Sequence, residues 1–191
     1  MWDDRYRASD LVWSAGPNIF LPPITEELSA GTALDVACGE GRNAIWLARQ
    51  GWSVTAVDFS RAGIDKARQL AGDASVDWIV ADATSFQPDK TFDLVVIFYL
   101  HLPIPELTSA FRRAVDSVAV GGTFFAVGHA LSNLTGGYGG PPYPEILWSK
   151  DRISSLVDGL DIRELGERER YVKDADATAI DFVALGTKSG P

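Results

Sequence analysis

The sequence predicts a single α/β domain of Rossmann-like design. Its sheet would have seven strands, mostly parallel, with helices on both faces and a C-terminal antiparallel hairpin. Three observations carry this. Short apolar runs alternate with amphipathic stretches about five times, the pattern of β-α units that build a parallel sheet covered on both sides. Two further runs, Asp161–Arg170 and Thr178–Thr187, then stand back to back. The short connection between them cannot make a parallel crossover, so that pair is antiparallel. Finally, 191 residues fit one domain, and a chain of that size buries about 70% of its extended surface.

Taken in order, Thr32–Ala37 (TALDVA) is a buried strand ending at Gly39. Gly41–Gln50 places apolar residues at 44, 45, 47 and 48, one helical face, and Gly51 closes it. Ser53–Asp58 is the second strand, and Ser60 is suited to cap a helix over Arg61–Ala71. Val76–Ala81 is the third strand. Phe92–Phe98 (FDLVVIF) is the fourth, apolar on both faces after its first two residues, as a central parallel strand must be. Glu106–Val118 reads as helix, Gly121-Gly122 as a break, Thr123–His129 as the fifth strand, and Ser149 to about Val157 as helix. Residues 131–148 hold GGYGGPPYP, which stops both helix and strand. Loops of that length in compact domains are usually functional or disordered, so this one reads as a substrate lid.

Composition narrows the function. Hydrophobic residues make up 46% and charged residues 23%, ordinary globular values. A net charge of −9 repels phosphate backbones and anionic lipid, so neither nucleic acid nor membrane is the expected partner. One cysteine, Cys38, excludes a disulfide framework and a zinc ribbon. The start MWDDRYRASD lacks the basic-then-apolar pattern of a secretory signal, and a cytoplasmic protein is expected.

The chemistry begins at LDVACGEGRNA, Leu34–Ala44. A strand enters Gly39-x-Gly41 and leaves as a helix, so the backbone turns sharply and can approach a ligand closely. Asp58, 19 residues after Gly39 at the end of the second strand, is placed to accept from ribose hydroxyls. GEGRNA also satisfies the dinucleotide pattern, which keeps an NAD-dependent oxidoreductase open. Asp35 argues against it, because a pyrophosphate site has no use for another negative charge. Asp82, ending the third strand in VADAT, suits an adenine amino group. Adenine, ribose and an ammonium together describe S-adenosylmethionine.

These stretches, with FDLVVIFYLHLP and GGTFFAVGH, resemble the core of the class I S-adenosylmethionine-dependent methyltransferases. The overall form is similar to the small tellurite-resistance and thiopurine type. Ala37 stands where the family's glycine motif usually has its first glycine. The resemblance implies that Ala37, Gly39 and Gly41 cradle the methionine part of S-adenosylmethionine and that Asp35 orients its ammonium. Asp58 would hold the ribose, Phe59 would pack on adenine, Asp82 and Ala83 would read its edge, and Phe98 would lie beside the methionine. It further implies an N-terminal cap, residues 1–30, beginning with WDDRY.

Methyl transfer needs a base only when the acceptor must lose a proton. His101 and His129, both after predicted strands, are the candidates, with strand-end packing as the alternative for each. They are not expected to bind a metal, for want of a third ligand at motif spacing. Trp13, Tyr99, Tyr138, Tyr143 and Trp148 lie in the segments expected to line the acceptor side, where aromatic faces hold flat molecules and attract a sulfonium. The expected partner is a small-molecule methyl acceptor. A module that binds the cofactor without transferring its methyl group is the remaining alternative.

Overall fold

A computed structural model describes residues 2–8 and 16–190. Two short helices, α1 (Trp2–Arg7) and α2 (Leu21–Thr25), precede β1 (Thr32–Val36), α3 (Arg42–Arg49), β2 (Ser53–Asp58), α4 (Arg61–Ala71) and β3 (Val76–Val80). Then come β4 (Phe92–Phe98), α5 (Ile104–Asp116), β5 (Val118–His129), α6 (Asn133–Gly136), α7 (Lys150–Ile153), β6 (Leu160–Val172) and β7 (Ala177–Lys188). They form one seven-stranded sheet in the order β3-β2-β1-β4-β5-β7-β6. The first five strands run parallel, and β7 enters antiparallel between β5 and β6. Among the described residues no helix is long and apolar enough to cross a membrane.

The core has two sides because β4, buried along most of its length, sends alternate residues to opposite faces. Val95 and Ile97 join Phe111, Phe124 and Trp148 beneath α5. Leu94, Val96 and Phe98 join Leu47, Ile64 and Phe125 beneath α3 and α4. Each such side chain stabilises the fold by about 1.5–3 kcal/mol relative to exposure. The sheet is therefore held from both faces, and the loops at the C-terminal ends of its parallel strands stand on a rigid base.

Three boundaries differ from expectation, each for a physical reason. Gly121-Gly122 does not break the chain before the fifth strand. β5 begins at Val118 and passes through the pair, with a register irregularity opposite Phe92/Leu94. A Cβ on Gly122 would lie 2.9 Å from the carbonyl oxygens of Ala119 and Phe92, so only glycine fits this bulge. α5 starts at Ile104, with Pro105 in its first turn, where a missing N–H costs nothing. The segment 131–148 is partly ordered by its own bonds. Ala130 bridges Trp148, and Asn133 donates to the Gly139 carbonyl at 2.8 Å and accepts the Ile180 N–H at 2.7 Å.

Candidate cofactor and acceptor site

A cavity of about 350 Å³ opens at the C-terminal ends of the parallel strands, where open α/β sheets bind ligands. Ala37, Gly39, Asp58, Phe59, Asp82, Ala83, Phe98, Tyr99 and His101 all line it. At its floor the β1–α3 turn takes positive φ three times, at Ala37 (60°), Gly39 (57°) and Gly41 (77°). Ala37 thus holds a left-handed conformation that costs a residue with a Cβ about 1–3 kcal/mol. A glycine usually stands at that place for this reason.

Gly41 does not line the cavity. Its missing Cβ leaves room for the Trp78 ring, which a Cβ would meet at 2.3 Å. Trp78 therefore packs against the glycine turn and helps set its shape. Asp35 also lies behind the lining, 1% exposed, with neither carboxylate oxygen in a well-formed hydrogen bond. Burial lifts its pKa to about 7, with the Ala44 N–H and the Arg42 charge pulling the other way. Carboxylate oxygens without a well-formed hydrogen bond beside a ligand-sized hollow fit a cationic group or its water, since buried acceptors are otherwise satisfied.

Asp58 is held by backbone. Its Oδ2 accepts the Gly39 N–H and its Oδ1 the Ser60 N–H, each at 2.8 Å. One carboxylate thus links the glycine turn to the start of α4, where Ser60 accepts the Gly63 N–H as the expected cap. Burial raises the Asp58 pKa against those two bonds. Asp82 Oδ1 accepts both the N–H and the hydroxyl of Thr84 at 2.8 Å, which fixes the turn after β3. Phe59 stands 54% exposed at the rim, an apolar face offered to a flat ring. From above, α1 brings Trp2 and Tyr6 onto the cavity. Lys66 ties it down by donating to the Tyr6 carbonyl at 2.7 Å and to Glu40 at 2.8 Å, and the Ser60 hydroxyl donates to Asp3.

The other end is made of side chains from distant elements. Tyr99, just past β4, takes φ 57°. Its hydroxyl donates to Asp181 Oδ2 at 2.9 Å and accepts from the Asn18 amide at 3.3 Å. Arg42 and Arg170 hold their guanidinium groups 5.9 and 5.8 Å from its ring centre. Asp181 is fully buried on β7 and accepts Arg170 Nε at 2.6 Å. Its other oxygen lies 3.3 Å from His129 Nδ1, off line for a good hydrogen bond. Burial works against the Asp181 charge, but His129 and Arg170 together hold its carboxyl below the usual range. Burial, and then the Asp181 charge, push the Tyr99 phenol up, so it stays protonated.

The two histidines stack at 5.4 Å. His101 Nε2 accepts the His129 backbone N–H at 3.1 Å, and the ring also bonds the Tyr99 backbone. Burial, and then the His129 charge, lower the His101 pKa to about 3, against the Asp181 charge and the bond to the Tyr99 backbone. Its nitrogens tie the ends of β4 and β5 together, and the ring still lines the cavity. His129 does not line the cavity; it lies one layer behind, 4.8 Å from the Tyr99 ring. Trp148 lies away from the cavity lining. It is fully buried, 5.2 Å from Phe111, in space left by Gly128, where a Cβ would come within 2.5 Å of its ring. Tyr138 and Tyr143 are 50% and 57% exposed and away from the cavity lining. Trp13 lies outside the described residues.

Arg42, Asn18, Arg170 and Asp181 were not among the expected site residues. The charged run RELGERER reads most simply as a solvated edge, yet its last residue, Arg170, is half-buried in an ion pair. Asp181 did leave a signal: a lone acid inside AIDFVAL, a run otherwise fit for a central strand, where an unpaired charge is not tolerated.

The sheet order and a glycine turn flanked by strand-end acids define a Rossmann-like protein with a hollow at the C-terminal ends of its parallel strands. Residues 33–122 match the family model described as a methyltransferase domain. An uncharacterized methyltransferase of Mycobacterium tuberculosis is 33% identical over 111 residues, 58% of this chain and 56% of that relative. The chain therefore matches little more than half the length of this curated relative. Trans-aconitate 2-methyltransferase of Streptomyces coelicolor is 34% identical over 96 residues, 47% of this chain and 31% of that relative. Among solved structures, the N-methyltransferase NodS from Bradyrhizobium japonicum in complex with S-adenosyl-L-homocysteine superposes with a TM-score of 0.76 at 18% identity, covering 98% of this chain and 97% of that one. TehB from Haemophilus influenzae gives 0.75 at 16% identity, covering 91% and 63%. At those identities the likeness is one of fold. Residues 33–122 thus resemble a methyltransferase domain, and the fold is shared with methyltransferases of solved structure. None of these comparisons points to a nicotinamide cofactor.

Proposed function

We propose that this chain transfers a methyl group from S-adenosylmethionine to a small-molecule acceptor by in-line displacement, in the cytoplasm. The observation that carries this is the left-handed turn at Ala37, Gly39 and Gly41, with Asp58 and Asp82 lining one hollow that continues past Phe98 to Tyr99 and Asp35 buried behind that lining. When bound, S-adenosylmethionine supplies an electrophilic methyl group on a good leaving group. The protein's task is then alignment and exclusion of water. Alignment of this kind can supply about 7–11 kcal/mol of the barrier.

In this reading Asp35 receives the ammonium, Gly39 and Ala37 cradle the methionine part, and Phe98 flanks it. Asp58, oriented by Gly39 and Ser60, receives the ribose hydroxyls. Asp82 and Ala83 meet the adenine edge while Phe59 covers its face. α1, part of the 1–30 cap, shields the hollow, and 131–148 screens the acceptor side. Neither histidine removes a proton. A small acceptor is supported by the enclosed hollow and by a relative named for trans-aconitate. Calorimetric titration with the cofactor and with S-adenosylhomocysteine tests the reading, and absence of binding by both at millimolar concentration rejects it. Asp58→Ala weakens binding while Asp161→Ala, on exposed β6, does not. Equal effects remove Asp58 from the ribose. Transfer of labelled methyl across a panel of acceptors separates an enzyme from a module that only binds.

A further inference from the structure

We infer that Lys66 is a positioning residue that locks the cap helix α1 to the glycine turn, so that the adenosyl cofactor leaves only when α1 lifts. The inference rests on the methyltransferase reading and goes beyond it to how the bound cofactor is retained.

The first support is one stripe of α4. Ser60, Gly63 and Lys66 follow at intervals of three from its N-cap onward, so they share a face. Each of the three meets both the glycine-turn side and the cap. Ser60 gives its backbone N–H to Asp58, whose other oxygen holds the Gly39 N–H, and its hydroxyl to Asp3 of α1. Gly63 lies between the two sides. A Cβ there would stand 3.2 Å from the Gly39 carbonyl oxygen and 3.2 Å from the Tyr6 ring. Lys66 donates to Glu40, within the glycine turn, at 2.8 Å and to the Tyr6 carbonyl at 2.7 Å. The turn and the cap are thus joined through α4 at three successive points.

The second support is the burial of the ion pair. The Glu40 side chain is 3% exposed and that of Lys66 18%. Taking two charges out of water is costly, and a hydrophobic pair of similar volume is often at least as stable. Such a pair is better explained by the position it fixes. An ammonium carries three donors and can hold acceptors from separate elements at once. A hydrocarbon side chain fills the same space without choosing where Glu40 and the Tyr6 carbonyl stand.

The third support is what α1 covers. Trp2 and Tyr6 line the hollow together with Gly39, Asp58 and Phe59, and their own rings stack at 5.7 Å. Lys66 and Glu40 do not line it, so Lys66 acts on the cofactor through the parts it joins. α1 has six residues, too few to persist as a helix in water by itself, so docking holds it in place. Segments held this way open locally, and a ligand enclosed beneath one waits on that opening to leave.

The test follows labelled S-adenosylhomocysteine leaving the full chain after a chase with excess unlabelled compound. Lys66→Met speeds release about tenfold, and association does not slow. Lys66→Arg, which keeps the charge and the donors, holds release within about threefold of the unmodified chain. Tyr6→Ala, which takes the ring away from Gly63, also speeds release. In that background Lys66→Met adds no more than about twofold, because both changes loosen one contact. Effects that multiply in the double variant overturn the inference, since Lys66 then serves the turn without the cap. So does release from Lys66→Met at the unmodified rate, or a loss of affinity carried wholly by slower association. Where urea titration shows that Lys66→Met does not fold, Lys66→Gln takes its place with the same outcomes. An unmodified chain that binds no S-adenosylhomocysteine at millimolar concentration sinks the methyltransferase reading, and this inference with it.

Discussion

At the ends of β1, β2 and β3 the cavity wall is largely backbone. Its N–H groups hold Asp58 and Asp82, and its left-handed turn leaves space that Trp78 fills. At the ends of β4, β5 and β7 the wall is side chain on side chain. Tyr99, Asp181, Arg170, Asn18 and the two histidines come from separate parts of the chain and meet around one buried carboxylate. The first end suits a cofactor of fixed shape, because a turn repeats the same geometry whatever surrounds it. The second can be rebuilt one side chain at a time, as acceptor specificity requires.

The contrast is broken most severely at Asp181. Asp181→Ala leaves Arg170 half-buried without its partner and removes the Tyr99 acceptor, so unfolding free energy falls by about 3–5 kcal/mol in urea titration. Cofactor-product affinity, measured by calorimetry, stays within about threefold. A parallel loss of that affinity shows that the two ends are one unit. Next comes Gly41→Ala, which forces a Cβ onto φ 77° and against Trp78. It costs about 2 kcal/mol and weakens S-adenosylhomocysteine at least about tenfold. Trp78→Leu in the same chain recovers part of the stability but none of the backbone strain.

Acid titration sharpens the comparison, because Asp35 at one end and His101 at the other are displaced with opposing effects. His101 falls to about 3 from 6.5, so below pH 6.5 the unfolded chain takes a proton the folded chain refuses. Stability from this group is lost as pH falls from 6.5 toward 3. Asp35 rises to about 7 from 3.8, so the folded chain holds the proton longer, and stability from this group is lost as pH rises from 3.8 toward 7. Each slope approaches about 1.4 kcal/mol per pH unit. Between about pH 4 and 6.5 they cancel in the intact chain. Asp35→Asn exposes loss on acidification and His101→Gln exposes gain, both read from urea midpoints. Identical profiles in the two variants refute the opposition.

The smallest effect is expected at the tip of 131–148. Tyr138→Ala and Tyr143→Ala, each removing an exposed ring, change stability by no more than about 0.5 kcal/mol and leave S-adenosylhomocysteine binding unchanged. If either variant also leaves methyl transfer unchanged, that ring has no part in the screen over the acceptor side.

The α/β alternation, the closing hairpin, the Ser60 cap and the residues around the glycine turn were legible in the sequence. Each depends on neighbours within a few residues, or on a spacing that a strand, a turn and a helix impose by themselves. Tertiary structure alone decided the rest. Asp181 and Tyr99 lie 82 residues apart, and no local pattern links an acid on β7 to a phenol past β4. Whether Trp148 packed in the core depended on Gly128 leaving room for its ring, and the hydrogen bond that His101 Nε2 accepts comes from a backbone N–H 28 residues away. Periodicity and turn chemistry act over a few bonds and are written in order along the chain. Burial, pairing and protonation are set by whatever folding brings within a few ångströms, and that is known only once the sheet has closed its strands around them.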